Sequence, residues 1–448
     1  MGLLDRIRDH EAPRVAFLGI DGVPLSLIVD NADLFPNLAA IAEEGSAGAI
    51  DSIVPPESSA AWPALTAGVN PGKTGVYGFQ DRETGTYETY VPMGRDVQHD
   101  RLWDRVSAAG RDATVLNVPV TFPPQRNVQR MVSGFLSPEV DTAAHPAEFR
   151  RELEEIGYRI DVDAKLGHRE DKSAFLEDAH ETLERRQETF ERYVRADDWD
   201  LFFGVYMTTD RVNHFLYEAY AENELGRQPF LEFYEQLDEY VGDIREQLPD
   251  DVTLVIASDH GFTSLSHDVY CNEWLAESGW LEYDADDPSE LSDIADDTRA
   301  YSLAPGRFYL NLEGREPRGT VPEADYERVR GELRRDLEAL EGPAGTAVVD
   351  RVVDGEEAFY GEHDEIAPDL VAIPNDGFDL KAGFERKERV FDDDTPRTGM
   401  HTFENATLLI DEPGVDVEGA DLLDVAPTIL ELLGMEVDPG EFDGESLL

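Results

Sequence analysis

The hydrophobic positions of the chain fall into short apolar runs that end abruptly in polar sequence. The runs VAFLGI (15–20), LFFGVY (201–206) and VTLVIA (252–257) each lead within a few residues into a segment that contains Asp. Continuous apolar runs of this length are typical of buried parallel strands, whose two faces are both covered. The pattern therefore predicts parallel strands of one sheet, each followed by a polar loop.

Helical segments lie between these apolar runs. They are PNLAAIAEEG (36–45), residues 173–195 and FLEFYEQLDEYVGDIREQL (230–248), and the last carries apolar residues at helical spacing. Strands that alternate with helices predict an α/β fold, with a mostly parallel central sheet covered by helices on both faces. Ligands of such sheets bind outside the carboxyl ends of the strands, so the polar residues after the apolar runs should converge there.

Two stretches depart from this alternation, residues 141–195 and residues 266–365. The first is rich in Glu and Arg and predicts a helical excursion. The second contains YSLAPGRFYLNLEGREPRG, which predicts a β-hairpin, and then the charged helix YERVRGELRRDLEAL. We interpret 266–365 as an inserted α+β cap beside the ligand site of a single domain that covers residues 1–448.

The charge of the chain limits its partners. The 448 residues are 41% hydrophobic, enough for a large core, but their formal net charge is −59. An acidic surface repels nucleic-acid backbones and anionic lipid, which excludes binding to nucleic-acid polymers or membranes through a basic patch. Acidic pieces such as DDPSELSDIADD suit a high-salt cytoplasm and predict a halophilic source, although a merely acidic surface is the alternative.

Cysteine content and the start of the chain bear on its location. Cys271 is the only cysteine, so neither an internal disulfide nor a thiolate metal cluster can form within one chain. The start, MGLLDRIRDHEAPRVAFLGIDG, has no long apolar run before its first predicted strand. This pattern predicts neither a signal peptide nor a membrane anchor, and hence a cytoplasmic location. Nothing in the sequence indicates the oligomeric state.

Carboxylates and imidazoles cluster just after the predicted strands. Such groups bind hard or borderline divalent metals. Each alone has an ordinary explanation, such as a turn Asp or a surface Asp–His pair at helical spacing. Together, three carboxylates and three imidazoles suffice for two metal sites with open positions. They are Asp21, Asp210, His214, Asp259, His260 and His401.

A candidate nucleophile lies in IVPPESSAAWPALTAGVNPGKTG (53–75). After the two prolines, Ser58 or Ser59 falls in the first turn of the predicted helix SSAAWPAL, where free N–H groups and the helix dipole favour an anion. Either serine could instead be a simple helix cap.

In its motifs the chain resembles the alkaline phosphatase superfamily, in particular the branch of type I phosphodiesterases and nucleotide pyrophosphatases. GIDG, a PP-x-S-x-x-AWP segment followed by NPG, D-x-x-x-H, SDHG, a late G-x-H and the ending DVAPTILELLG…DGESL occur in the family's order. The resemblance spans nearly the whole chain. It implies an alkaline phosphatase-like fold and a phosphoric ester hydrolase with a small anionic substrate.

The resemblance also implies roles for individual residues. It assigns Asp21, Ser58, Asp259 and His260 to one metal, and Asp210, His214 and His401 to the other. The family nucleophile lies ten residues before the Gly of the family's TG motif, here Gly68, which selects Ser58 and leaves Ser59 as the runner-up. The chain departs from many relatives at Ala61, where they carry an Asn that binds a phosphoryl oxygen. Thr74 stands where relatives often have His.

The implied mechanism uses two divalent cations, with Zn favoured over Mn or Fe, and a phosphoserine intermediate. Lys73 is the candidate substrate contact. Diester or pyrophosphate cleavage is the first hypothesis, because the nearest arginine downstream of Ser58 is Arg82, beyond the motif, and monoesterases commonly use an arginine near the nucleophile. Monoester or phosphonate hydrolysis is the second hypothesis, and a non-catalytic metal-binding scaffold is the alternative of another class. The motif segment lacks the Pro and Arg of sulfatases.

Overall fold

The computed structural model describes residues 12–448. The predicted absence of a leader or anchor concerns the start of the chain, which lies largely outside the described residues. Within 12–448, no helix combines the length and hydrophobicity that a bilayer-spanning segment needs.

The described chain contains strands throughout its length. In chain order they are β1 (Arg14–Ile20), β2 (Ser46–Ile50), β3 (Asp81–Arg82), β4 (Thr89–Tyr90), β5 (Ala113–Val118), β6 (Arg130–Ser133), β7 (Ala144–His145), β8 (Leu201–Tyr206), β9 (Val252–Ala257), β10 (Gly261–Tyr270), β11 (Ala300–Leu303), β12 (Arg307–Leu310), β13 (Val349–Asp354), β14 (Leu370–Pro374), β15 (Gly377–Lys381), β16 (Phe391–Asp392), β17 (Gly399–Thr402) and β18 (Ala406–Ile410).

Helices alternate with many of these strands. They are α1 (Leu25–Asp30), α2 (Pro36–Glu44), α3 (Ser58–Ala67), α4 (Pro71–Thr74), α5 (Leu102–Ala108), α6 (Val140–Ala143), α7 (Ala147–Ile156), α8 (Ala164–Gly167), α9 (Ser173–Val194), α10 (Thr208–Ala221), α11 (Arg227–Gln247), α12 (Cys271–Glu277), α13 (Tyr326–Glu338), α14 (Gly355–Ala358) and α15 (Val425–Leu432).

The central sheet has eight strands in the order β2-β18-β9-β1-β8-β5-β6-β7. The five strands from β9 to β6 are parallel, whereas β18 runs antiparallel to both of its neighbours and β7 runs antiparallel to β6. The strands β1 and β8 are buried along their whole length, because helices cover both faces of the sheet. The predicted α/β class and the mostly parallel sheet are confirmed.

Two separate apolar layers hold the helices on the sheet. On one face α2, α9, α10 and α11 pack against residues such as Leu18 and Phe202. On the other face α3, α5 and α15 pack against residues such as Phe17 and Phe203. Adjacent residues of one strand therefore serve opposite layers, as the alternation of side chains along a strand requires.

A second, smaller sheet lies outside this core. Its antiparallel strands follow the order β11-β12-β14-β13, and α12 and α13 share its hydrophobic cluster. The predicted hairpin is confirmed as β11 and β12, and the predicted charged helix is α13. The strand of this sheet that comes last along the chain, β14, lies beyond residue 365, so the sheet extends past the predicted end of the cap. The cap and the 141–195 excursion as domain units stay predictions.

A buried ion pair ties the second sheet to the core. Arg307 of β12 donates from Nη1 to Asp81 Oδ1 at 2.7 Å, and the side chains are 0% and 1% exposed. Arg307 also donates to the backbone oxygens of Gln80 and Ala304. The pair therefore links β12 to the β3–β4 hairpin that follows α4.

Replacing Asp81 with alanine should lower the free energy of unfolding by about 3–5 kcal/mol, because it leaves the Arg307 charge buried without its partner. Denaturant unfolding of wild type and variant measures the change. The matched control is Asp325→Ala, since Asp325 is 45% exposed in its pair with Arg328 and should contribute about 1 kcal/mol or less. Equal losses in the two variants would contradict the role of the buried pair.

Candidate active site

The carboxyl ends of three adjacent strands define the position of the site. In β1, β8 and β9, Ile20 pairs with Tyr206 and Gly19 with Ala257, so the three strands end at one edge of the sheet. The chain then continues from these ends into Asp21, into Asp210 in the first turn of α10, and into Asp259-His260. His401 reaches this edge from β17, where it is the register partner of Phe262 in β10.

The first group of side chains lies around His260. Its Nε2 is 3.4 Å from Asp259 Oδ2 and 3.8 Å from Asp21 Oδ1, and all three side chains are fully buried. The same nitrogen lies 3.1 Å from Ser58 Oγ. These four residues are those that the family resemblance assigned to one metal.

The second group lies around His401. Its Nε2 is 3.1 Å from Asp210 Oδ1 and 3.0 Å from His214 Nε2, and the latter is 3.4 Å from Asp210 Oδ1. The two groups adjoin, because the rings of His260 and His401 stack with their centroids 3.8 Å apart. His260 also lies close enough to Asp210 and His401 for one ion to contact all three. The structure thus brings all six predicted Asp and His side chains together.

Backbone carbonyls orient the three imidazoles. A carbonyl oxygen can only accept a hydrogen bond, so each Nδ1 carries a proton and donates it, and each Nε2 faces the carboxylates. This orientation presents Nε2 as the nitrogen available to a metal. The pairs are His214 with Gly399 O (3.0 Å), His260 with Gly261 O (3.1 Å) and His401 with Pro56 O (3.1 Å).

Two carboxylates each leave one oxygen without a partner. Asp21 Oδ2 accepts from Trp62 Nε1 at 2.7 Å, and Asp259 Oδ1 accepts from the Gly22 N–H at 3.2 Å. The other oxygens, Asp21 Oδ1 and Asp259 Oδ2, are buried and have no hydrogen-bond partner within residues 12–448. These are the two oxygens that face His260 Nε2. Buried anionic oxygens of this kind are costly unless paired, so the donor set fits a divalent cation.

The electrostatics of the site also favour a cation. Burial raises the pKa of Asp21 well above its usual range and that of Asp259 to about 7. Burial lowers the pKa of His214 to about 3, so this ring is neutral and can ligate a metal. For His401, burial acts to lower the pKa, but the hydrogen bond with Asp210 and the charges of Asp210, Asp379 and Asp259 together outweigh burial, and the pKa is raised. Positive charge is therefore favoured at this position of the site.

The two candidate serines differ in their surroundings. Ser58 is the first residue of α3, lines the cavity and lies within hydrogen-bonding distance of His260. Ser59 is fully buried, its Oγ has no hydrogen-bond partner among residues 12–448, and it does not line the cavity. Access to the cavity therefore favours Ser58.

A cavity of about 900 Å³ opens over these side chains. Ser58, Asp210, His214 and His401 form part of its wall, and residues 304–306 and 372–376, in and beside the strands of the second sheet, form another part. Phe79 and Phe135 add an apolar surface. The cavity can hold a substrate considerably larger than a phosphoryl group.

Two charged residues of the cavity wall that the motifs did not indicate are direct neighbours of predicted site residues. Glu57 precedes Ser58, and its Oε2 is buried without a hydrogen-bond partner in the described chain. Arg211 follows Asp210 and contacts it at 3.3 Å. Both residues lie inside motifs that were recognised in the sequence, but at positions to which those motifs assign no role.

The structure bears on two expectations about basic residues. Lys73 does not line the cavity, and its Nζ pairs with Asp443 at 2.5 Å, so its placement gives no support to a substrate contact. Arg82 is the nearest arginine downstream of Ser58 along the chain, but separation along the chain does not decide which arginine lies near Ser58 in space. The structure brings Arg211 into the same cavity wall as Ser58.

The described chain has the alkaline phosphatase-like fold. The family model described as "Type I phosphodiesterase / nucleotide pyrophosphatase" matches residues 15–404. The chain belongs to this family, and it is accordingly an enzyme, a hydrolase of phosphoric esters. Family membership favours catalysis over the non-catalytic scaffold. No curated protein matches the chain by sequence.

Solved structures support the same fold. Phosphonoacetate hydrolase from Sinorhizobium meliloti 1021, in complex with phosphonoacetate, is 17% identical with a TM-score of 0.63, and the match covers 94% of this chain and 96% of that chain. Murine ectonucleotide pyrophosphatase / phosphodiesterase 5 is 13% identical with a TM-score of 0.57, and the match covers 96% and 97% of the two chains. At these identities the similarity establishes the fold alone.

Proposed function

We propose that the enzyme is a phosphodiesterase that uses two divalent cations, preferably Zn, and a serine nucleophile. The observation that carries this proposal is the convergence of six Asp and His side chains on Ser58 at one edge of the sheet. The proposed ligands are Asp21, Ser58, Asp259 and His260 for one cation, and Asp210, His214 and His401 for the other. Such cations lower the pKa of a coordinated hydroxyl and neutralise charge on a leaving oxygen.

The residues of the chain supply the nucleophile and its orientation. Ser58 Oγ attacks phosphorus in line, its proton passes to solvent, and the bond from phosphorus to the leaving alkoxide breaks. Water then hydrolyses the phosphoserine, which releases the second product and restores the hydroxyl. The first turn of α3 holds Ser58 where the helix dipole favours the anionic phosphoryl group.

A preference for diesters is supported by Glu57 and by the size of the cavity. A carboxyl group beside Ser58 disfavours the second negative charge of a monoester phosphoryl group. Hydrolysis of monoesters or phosphonates is the second candidate. It is favoured by Arg211 in the cavity wall and by the likeness in fold to a structure named phosphonoacetate hydrolase.

The metal-loaded enzyme should hydrolyse bis(4-nitrophenyl) phosphate with a kcat/KM at least about tenfold above that for 4-nitrophenyl phosphate, a difference of about 1.4 kcal/mol in transition-state stabilisation. Release of nitrophenol, followed with Zn, Mn and Fe in turn, measures both rates. Glu57→Gln should lower the ratio of the diester kcat/KM to the monoester kcat/KM. It should accelerate hydrolysis of the monoester, since the substitution removes the carboxylate charge and keeps the shape of the side chain. A monoester preference in wild type would favour the second candidate.

Several finer points stay proposals. We propose that the second sheet and α13 act as the cap that closes over the substrate, because its residues form one wall of the cavity. The preference for zinc, the halophilic source and the cytoplasmic location remain predictions from the sequence.

A further inference from the structure

The cavity wall contains four Arg and Lys side chains of the described chain: Arg211, Arg351, Lys381 and Arg397. Two of them are held together by one acid, because Asp379 pairs with both Lys381 and Arg397. Arg397 also pairs with Asp268 at 2.5 Å. Arg351 is 44% exposed and pairs with its neighbour in sequence. Only Arg211 among the four contacts one of the proposed metal ligands.

Three neighbouring side chains hold the side chain of Arg211 in place. Its Nε and Nη2 donate to Asp161 Oδ2 at 3.1 and 2.9 Å, and its Nη1 donates to Asp210 Oδ2 at 3.3 Å. The guanidinium lies over the ring of Phe135, with Cζ 4.4 Å from the ring centroid. The side chain is 15% exposed. Arg211 is thus held rigidly at the cavity wall.

The hydrogen bonds of Arg211 leave part of its binding capacity free. A guanidinium has five N–H groups. Three of them meet Asp161 and Asp210, and within residues 12–448 the other two have no acceptor. These remaining groups belong to the two terminal nitrogens, one on each. Both lie in the plane of the guanidinium and can donate to the oxygens of a phosphoryl group.

We infer that Arg211 is a substrate-binding residue that donates to the nonbridging oxygens of the phosphoryl group, and that Asp161 positions it. This inference rests on the proposed phosphoesterase function. It also gives the 141–195 excursion a role at the site, because Asp161 lies in the loop before α8.

Calorimetric titration of the metal-loaded enzyme with inorganic phosphate tests the inference without turnover. Arg211→Lys should weaken phosphate binding by at least about 10-fold, since lysine keeps the charge but cannot form the paired contact. Arg211→Ala should weaken it by about 100-fold. Asp161→Asn should weaken it by about 3- to 10-fold, because Arg211 stays charged but a neutral amide holds it less firmly than the carboxylate does.

Metal content and thermal stability, measured on each variant, separate substrate binding from a structural role. The matched control is Arg245→Lys. Arg245 likewise donates from Nε and Nη2 to one carboxylate, that of Asp411, but lies outside the cavity. The phosphate affinity of this variant should equal that of wild type. The inference is overturned if Arg211→Lys and Arg211→Ala bind phosphate as tightly as wild type does. It is also overturned if their phosphate binding weakens only because bound metal is lost, or if wild type binds no phosphate.

The same measurements distinguish this inference from the proposed function. If wild type hydrolyses no phosphate ester while phosphate binding still depends on Arg211, the proposed function fails and the binding role stands. If hydrolysis depends on Ser58 but phosphate affinity does not depend on Arg211, the function stands and the inference fails.

Discussion

Replacing Ser58 with alanine should reduce the turnover of bis(4-nitrophenyl) phosphate by about 10³-fold or more, because no other group can form the covalent intermediate in its place. Ser58 Oγ lies 3.1 Å from His260 Nε2 and opens to the cavity. Metal content should stay close to that of wild type, since Asp21, Asp259 and His260 remain. Steady-state rates at saturating substrate, with metal analysis of the same samples, measure the effect.

Ser59→Ala is the control for this prediction. Its Oγ is buried without a hydrogen-bond partner in the described chain, so an apolar replacement should leave both activity and stability close to those of wild type. The opposite pattern, with Ser59→Ala inactive and Ser58→Ala active, would show that the assigned nucleophile is wrong by one position.

Replacing His260 with alanine should reduce activity by at least about 10²-fold and should release bound metal. Loss of an outer partner of a metal ligand already costs about 10- to 100-fold, and His260 contacts the donors of both groups directly. The buried carboxylates of Asp21 and Asp259 would then lose the imidazole that faces their unpaired oxygens and ligates the same metal in the proposed site. Metal analysis after dialysis measures the bound ions.

Thermal unfolding gives an independent measure of the same change. A ligand at about 100 times its Kd stabilises the folded state by about 2.7 kcal/mol, so added metal should raise the Tm of wild type far more than that of His260→Ala. The control is His180→Ala, because His180 contacts Gln236 and does not line the cavity. A full metal content in His260→Ala would exclude His260 as a ligand.

Much of the fold could be predicted from local pattern. The apolar runs at 201–206 and 252–257 coincide with β8 and β9, and the run at 15–20 falls within β1. These strands are buried on both faces, so their sequence has little freedom to be polar. The predicted limits of helices α2 and α9 agree with the structure to within one residue, because apolar periodicity and the polar segments that flank it are local properties.

The candidate site residues could also be identified in the sequence, but only from their combination, because each one alone has an ordinary explanation. Asp210 and His214 are one helical turn apart, and Asp259 and His260 are adjacent in sequence. The proximity of the two residues in each pair therefore follows from local geometry. The placement of His401 does not. It depends on the antiparallel pairing of β17 with β10, which joins residues far apart along the chain.

The class of fold, the order of the motifs and the donor atoms that can meet a cation follow from the amino-acid sequence, because strand burial and ligand chemistry depend on residue type and short spacing. Which charges share the cavity depends on the three-dimensional arrangement of the chain. Arg211 and Glu57 lie in its wall and Lys73 does not, and Asp161 reaches Arg211 from a separate excursion. The physical reason is that electrostatic interactions act through space, and the folding of the chain sets those distances independently of separation along the sequence.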